Sequence, residues 1–304
     1  MREIFIGEYI RHHRQDQGLS QEKLCEGICE PMTLSRLENG KQTPSRNRIQ
    51  ALLQRLGLPD DRYFALLTPY EAAIEPLQKE ISDCLVQHRR EAGLEKLGEL
   101  EALAEEDDQL TRQFILFVRA LLGRADGEPY SPSEQMDLLT ESIRLTMPRF
   151  SPETMGGQLY SHMEVRIMNQ IADLFSQCGE HKRAFDLFEQ LMEYIQNRTQ
   201  GILWSRGVLG LVSLSYARAL ARTARHREAL EIAELGWSTC IRMGYYDFSP
   251  ALLHVMAECY HFLGSDEKSR DLYSQAYYLY EALGDQYHLL RVAKSAREQL
   301  CLEF

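Results

Sequence analysis

The chain of 304 residues lacks any apolar stretch approaching the roughly 20 residues that a helical bilayer span needs, so no membrane partner is expected. Its ten prolines and nineteen glycines are too few for a low-complexity or collagen-like polymer. A disulfide framework is missing as well. The seven cysteines, Cys25, Cys29, Cys84, Cys178, Cys240, Cys259 and Cys301, are odd in number and scattered, and they read as reduced thiols. Cys25 and Cys29 share a helical face at i, i+4, but two thiolates cannot complete tetrahedral zinc and no second ligand pair stands nearby, so they read as core thiols and no metal is expected. Gly-rich phosphate loops, Gly-x-Ser-x-Gly elbows and His-Glu-x-x-His helices are all missing. The expectation is a protein with no catalytic residues and no cofactor, not an enzyme. The opening Met1-Arg2-Glu3-Ile4-Phe5-Ile6-Gly7-Glu8 carries acids where a signal peptide would carry an apolar run, which predicts a cytoplasmic location.

What the chain does have is 44% hydrophobic and 26% charged residues, enough for a sizeable core and for more than one domain. The net charge of −11 is unevenly placed: residues 1–66 hold ten Lys+Arg against nine Asp+Glu, a balance of +1, and the remainder carries −12. A nearly neutral first domain is compatible with binding nucleic acid, and the acidic remainder with another task.

Within the first segment, Phe5, Ile6, Tyr9 and Ile10 fall at helical spacing and stop at Gly18, a residue suited to a left-handed helix end. Ser20 is placed to cap a second helix, with Leu19 and Leu24 as a hydrophobic staple. Pro31 suits the first position of a third helix, where its missing N–H has no intrahelical partner anyway. Leu34 and Leu37 face inward there, and Asn39-Gly40 ends it. A fourth helix follows on Ile49, Leu52, Leu53 and Leu56, and a fifth at Tyr63-Phe64. Two short helices joined by a tight turn outline a helix-turn-helix.

The run Leu19-Ser20-Gln21-Glu22-Lys23-Leu24, with Leu34-Ser35-Arg36-Leu37-Glu38-Asn39-Gly40-Lys41 and Thr43-Pro44-Ser45, resembles the lambda-repressor-like, or XRE-type, DNA-binding domain, with the domain spanning residues 1–67. The resemblance implies that helix three enters the major groove, presenting Met32, Thr33, Ser35 and Arg36 to base edges. Arg36 is suited to guanine, and Met32 and Thr33 to a thymine methyl. By the same resemblance, Gln21, Asn39, Lys41 and Ser45 hold the DNA backbone, and Arg14 with Glu38 form an internal ion pair. Pro31 and Glu30 depart from the family, the first offering no hydrogen bond where a polar residue is common and the second bringing negative charge near phosphates.

Residues 68–304 are helical throughout by pattern, with a repeat. Asn169–Phe175 leads to Gly179, Ser215–Leu220 to Ala224, and Met256–Tyr260 to Gly264, and each turn is followed by a second helix, at Ala184–Phe188, Ala229–Ala233 and Ser269–Tyr273. Small residues at Ala172, Ala217 and Ala257 allow close helix approach, while Phe175, Leu220 and Tyr260 fill the gap one turn later. Weaker pairs lie at 80–106 and 112–147, and residues 286–302 form a capping helix. These segments resemble tetratricopeptide repeats with lengthened helices, which implies an all-α, right-handed superhelix with a concave inner face. By repeat register the inner face carries Arg166, Asn169, Asp173, Leu214, Arg218, His254, Glu258 and His261. Asn169 stands out, because its amide both donates to and accepts from the backbone of a bound strand.

The combination, including Gly27-Ile28-Cys29 before the recognition helix, resembles the peptide-pheromone receptor regulators grouped as RRNPP. That resemblance implies a homodimeric transcription regulator that binds a double-stranded operator with an inverted repeat and whose repeat groove binds a short signalling peptide in quorum sensing. Two alternatives share features with it. One is an XRE regulator whose repeats only dimerise or hold a partner protein; the other is a phosphatase-modulating repeat scaffold, a class that lacks the DNA-binding domain.

Overall fold

A computed structural model describes residues 6–58, 69–124, 128–153, 155, 159–198, 207–244 and 246–304. Every regular element among them is a helix, fifteen in all. The chain divides into two compact units, the first built chiefly from residues up to 170 and the second from residue 171 onward. The expected boundary at 67/68 and the fifth helix at Tyr63-Phe64 both fall outside the described residues.

The first unit begins with α1 (Ile6–Asp16), α2 (Gln21–Cys25), α3 (Pro31–Glu38) and α4 (Arg46–Arg55). Local signals set their ends. Gly18 adopts φ +64° after α1, the Ser20 hydroxyl accepts a hydrogen bond from the Lys23 N–H at 3.1 Å, and Pro31 opens α3. The apolar faces converge on Ile10, Leu24, Leu34, Leu37, Leu52 and Leu53, each 1% exposed or less. Full burial of one such side chain contributes about 1.5–3 kcal/mol. Ser45 gives α4 no side-chain cap; instead the buried Glu71 carboxylate, from the next helix, accepts from the Arg46 N–H, and Arg46 pairs with Glu75 at 3.0 Å.

Four helices follow, α5 (Pro69–Val86), α6 (Arg90–Leu103), α7 (Gln109–Leu122) and α8 (Pro132–Thr146), with α5 packed on α6 and α7 on α8. The second pair agrees with the expected 112–147. The first does not: it spans 69–103 rather than 80–106, because α5 continues through Pro76, a residue that normally marks a helix boundary. Next comes α9 (His162–Gln177), the last helix to begin in this unit.

One network ties the helix-turn-helix to α8 and α9. Arg55, with a side chain 2% exposed, donates from Nη2 to Glu164 Oε1 at 2.9 Å and from Nη1 to the carbonyls of Leu24 and Glu26. The Glu164 carboxylate, 1% exposed, also accepts from the Thr146 hydroxyl and the Ser161 N–H. Leu159 joins the helix-turn-helix core itself. At Gly27, with φ +70°, an added Cβ would stand 2.0 Å from the Thr146 carbonyl oxygen, so the turn between α2 and α3 lies directly on the end of α8.

The second unit contains α10 (His181–Arg198), α11 (Val208–Arg222), α12 (His226–Met243), α13 (Ser249–Phe262), α14 (Asp266–Leu283) and α15 (Gln286–Leu300). The repeat reading holds in its details. Ala172, Ala217 and Ala257 are fully buried, and Phe175 and Leu220 fill the spaces beside them. Tyr260 is the exception: it stays half-buried, with its hydroxyl donating to Glu234 at 3.1 Å, since a phenol needs a polar partner where a phenyl does not. α15 forms where the capping helix was expected. The inter-helix turns at Gly179, Ala224 and Gly264 all take left-handed backbone, with φ of +83°, +59° and +79°. Only Ala224 carries a side chain in that conformation, which costs an alanine about 1–2 kcal/mol. Ala224→Gly is therefore expected to raise stability by about 1 kcal/mol after the entropy lost by glycine, read as a higher thermal midpoint of the second unit.

Candidate functional site

On the helix-turn-helix, the buried side of α3 is set by Leu34 and Leu37, and this leaves Met32 63% exposed and Arg36 exposed beside the half-buried Thr33 and Ser35. Among the described residues, no side-chain hydrogen bond or ion pair engages Arg36 or the exposed Lys41. Other expected contacts are already occupied within the fold. Gln21 donates to Glu38 Oε2 at 2.7 Å, and Asn39 donates to the Ser35 carbonyl at 2.7 Å while accepting from Arg11 at 3.5 Å. Ser45 is half-buried at the start of α4. The Arg14–Glu38 pair forms as the resemblance implied, bidentate at 2.6 and 2.9 Å, with Arg14 also donating to the Leu19 carbonyl. Hydrogen bonding to Glu38 holds the Arg14 pKa above its ordinary value despite burial.

The flank of α3 is not entirely open. Thr33 lines a cavity of about 530 Å³ together with Arg48, Glu106, Asp107 and Arg112, so the loop between α6 and α7 brings carboxylates beside an expected base-contacting residue. A second cavity, of about 640 Å³, opens among Lys23, Cys29, Glu30, Pro31 and Arg149. On the exposed side of α1, donor atoms of His12, His13 and Asp16 lie within 4.8 Å of one another, the one cluster of metal-ligand type among the described residues.

The expected groove residues divide between the units. In the first, Arg166 is half-buried over the Phe117 ring at 5.3 Å, with burial pressing its pKa down, and Asn169 is buried. In the second, Leu214 is buried, and Asp173 is engaged by Arg222 at 2.6 Å. His261 pairs with Asp266 at 2.8 Å. His254 and Glu258 stand 3.4 Å apart on successive turns of α13. Arg218, half-buried on α11, is the focus of this face. Burial lowers its pKa, and Tyr280, Arg291, Asp173 and Glu258 are the charged or ionisable groups around it. No protein hydrogen bond or ion pair engages it among the described residues. For Glu258, burial pushes the carboxyl up, and this is outweighed by the neighbouring His254 imidazole, 3.4 Å away, and by Arg218 and Arg291, which hold it below the usual range. Tyr280 and Arg291 were missed in the sequence because they lie on α14 and α15, outside the first helices of the three recognised repeats.

A half-buried guanidinium without a protein partner is a group prepared for an anion: it has lost part of its hydration and has gained no substitute inside the fold. The exposed Arg36 is different in kind, since a fully hydrated arginine on a convex helix is suited to reaching outward into a groove.

The family model described as a helix-turn-helix domain matches residues 6–63. Two solved structures of Bacillus thuringiensis PlcR share the fold. One, PlcR in complex with the peptide PapR7 and DNA, is 20% identical with a TM-score of 0.63, over 94% of this chain and 98% of that one. The other, PlcR in its apo form, is 19% identical with a TM-score of 0.55, over 95% of this chain and 98% of that one. No curated protein matches the chain by sequence.

Proposed function

We propose that this protein is a cytoplasmic, homodimeric transcription regulator of the RRNPP type, which binds an inverted-repeat DNA operator through α3 and a short signalling peptide through its repeats. The observation that carries the reading is the coexistence of two unengaged arginines in different settings: Arg36, exposed on the recognition helix, and Arg218, half-buried among Glu258, Tyr280 and Arg291. The fold shared with PlcR, solved with a peptide and DNA, supports it. One short helix reads only a few base pairs, and a two-fold dimer doubles the contact.

On the DNA side, Arg36→Ala is expected to relax base preference by about 1–3 kcal/mol at one position, whereas Lys41→Ala weakens binding to every sequence and flattens its salt dependence. Binding of each variant to a selected operator and to random duplex across a salt series separates the two; equal losses on both DNAs for both variants would contradict the assignment.

On the peptide side, Arg218→Ala is expected to cost about 1.5–3 kcal/mol, a roughly ten- to hundredfold loss of peptide affinity, by removing the charged donor from the groove. Operator binding by the peptide-free protein stays unchanged. Isothermal titration with short secreted peptides encoded beside the gene, alongside an operator gel shift, tests this. A second reading, that the repeats only hold another protein surface, is favoured by the exposed Tyr278, Leu279, Leu283, Tyr287 and Leu290 on α14 and α15. Under it, no such peptide binds at all.

A further inference from the structure

Two cysteines bracket the turn that leads into α3. Cys25, the last residue of α2, is 1% exposed, and Cys29, two residues ahead of α3, is half-buried. The Cys29 N–H donates to the Cys25 carbonyl at 3.1 Å, a single α-type turn, which sets the two Cα atoms about 6 Å apart. A disulfide spans roughly 4.4–6.8 Å between Cα atoms, so the backbone accommodates one. The Cys25 Sγ lies 3.8 Å from the Glu22 carbonyl, and each of the two thiols is near enough to shift the other's pKa. Cys29 lines both cavities beside α3, which give small solutes a path to it. The remaining five cysteines are either buried, at Cys84, Cys240 and Cys259, or exposed, at Cys178 and Cys301, and none of them has a second cysteine within four positions along the chain.

We propose that Cys29 is a thiol-modification site with Cys25 as its resolving partner, and that a peroxide closes the pair into a reversible disulfide across the α2–α3 turn. An oxidation-sensitive thiol needs access, thiolate character and a nearby second thiol. Access and partner are given by the geometry above. Thiolate character follows from the surroundings: the neighbouring Cys25 thiol and the charges of Arg48 and Arg55 lower the Cys29 pKa, against burial and Glu30. Cys25 keeps its proton, because the neighbouring Cys29 and burial both raise its pKa.

In the first step the Cys29 thiolate attacks one peroxide oxygen and the O–O bond breaks. The sulfur keeps that oxygen as a sulfenic acid, and the other oxygen leaves as hydroxide, which takes up a proton to become water. Oxidation removes the negative sulfur that held the Cys25 proton in place. The Cys25 sulfur then displaces the sulfenic oxygen, which departs with that proton as a second water. Two thiols and one hydrogen peroxide thus become one disulfide and two waters. The bond draws the sulfurs to about 2 Å, inside a turn already pressed on Thr146 at Gly27 and anchored in the core by Ile28. Strain of this kind is relieved at the free end of the turn, the start of α3. The consequence for DNA rests on the helix-turn-helix reading above: oxidised protein binds duplex several-fold more weakly than reduced protein.

The test uses the full chain with Cys178→Ser and Cys301→Ser, treated with stoichiometric hydrogen peroxide. The expected result is a loss of about 2 Da in the tryptic peptide Leu24–Arg36, reversed by dithiothreitol. Cys29→Ser abolishes it, and Cys25→Ser leaves a sulfenic acid at Cys29 that dimedone traps. Unchanged mass with both thiols free, or prior oxidation of Cys84, Cys240 or Cys259, would overturn the proposal. Binding to random-sequence duplex at low salt then reads the consequence, and a fully formed disulfide with unchanged affinity would overturn the re-aiming of α3. If the reduced protein binds no duplex at all, the DNA-binding reading fails, while the mass measurement still decides the disulfide.

Discussion

Replacement of Arg55 by methionine is expected to destabilise the protein by about 3–5 kcal/mol, because it leaves the Glu164 carboxylate charged and dry. In the native fold that carboxylate is 1% exposed and accepts from Arg55, Thr146 and Ser161. Removing the guanidinium takes away the one positive charge in the network and also releases the carbonyls of Leu24 and Glu26 from their donor. Arg55→Met with Glu164→Leu is expected to recover part of the loss, since two apolar groups in a buried space need no ionic partner. Urea unfolding followed by circular dichroism gives both numbers, and a single variant within about 1 kcal/mol of the parent would show that water reaches the site.

Gly27→Ala carries the second large effect, about 2–5 kcal/mol. Its φ of +70° is a left-handed conformation, which costs an alanine about 1–2 kcal/mol, and its new methyl would stand 2.0 Å from the Thr146 carbonyl oxygen. Backbone on one side and backbone on the other leave no flexible side chain to yield. The turn must therefore part from α8, an overpacking cost of about 1–3 kcal/mol more. Faster amide exchange in residues 24–29 and 143–147 than in the parent would confirm the separation; exchange unchanged there, with normal stability, would refute it.

How far the fold was legible in the sequence depended on the range of the interaction. Ser20, Pro31 and Gly18 act on their own helix ends, so their roles could be read from a few neighbouring residues, and Gly179, Ala224 and Gly264 announced their turns in the same way. The Arg55–Glu164 pair could not be read so. An arginine at the end of α4 resembles any solvated helix residue, and its partner stands 109 positions away. The candidate sites show the same division. Met32 and Arg36 project from α3 as the helical period requires. Gln21 and Asn39, assigned to phosphates by family likeness, bond within the domain to Glu38 and Ser35, a choice decided by short side-chain geometry that the sequence leaves open. The surroundings of Arg218 depend on how α14 and α15 return toward α11, and Tyr280 and Arg291 carry no local mark of it.

The distance along the chain between Arg55 and Glu164 also fixes an order of events during synthesis. A ribosome adds about 5–20 residues per second, so the 109 residues from Arg55 on to Glu164 take on the order of five to twenty seconds to add. Leu159, which completes the helix-turn-helix core, arrives at nearly the same moment. For that interval the nascent first helices hold a guanidinium whose carboxylate partner has not yet been made, beside an apolar surface not yet covered. The domain that is made first is thus finished late, and a chain truncated before residue 159 leaves the ribosome with its helix-turn-helix core still incomplete.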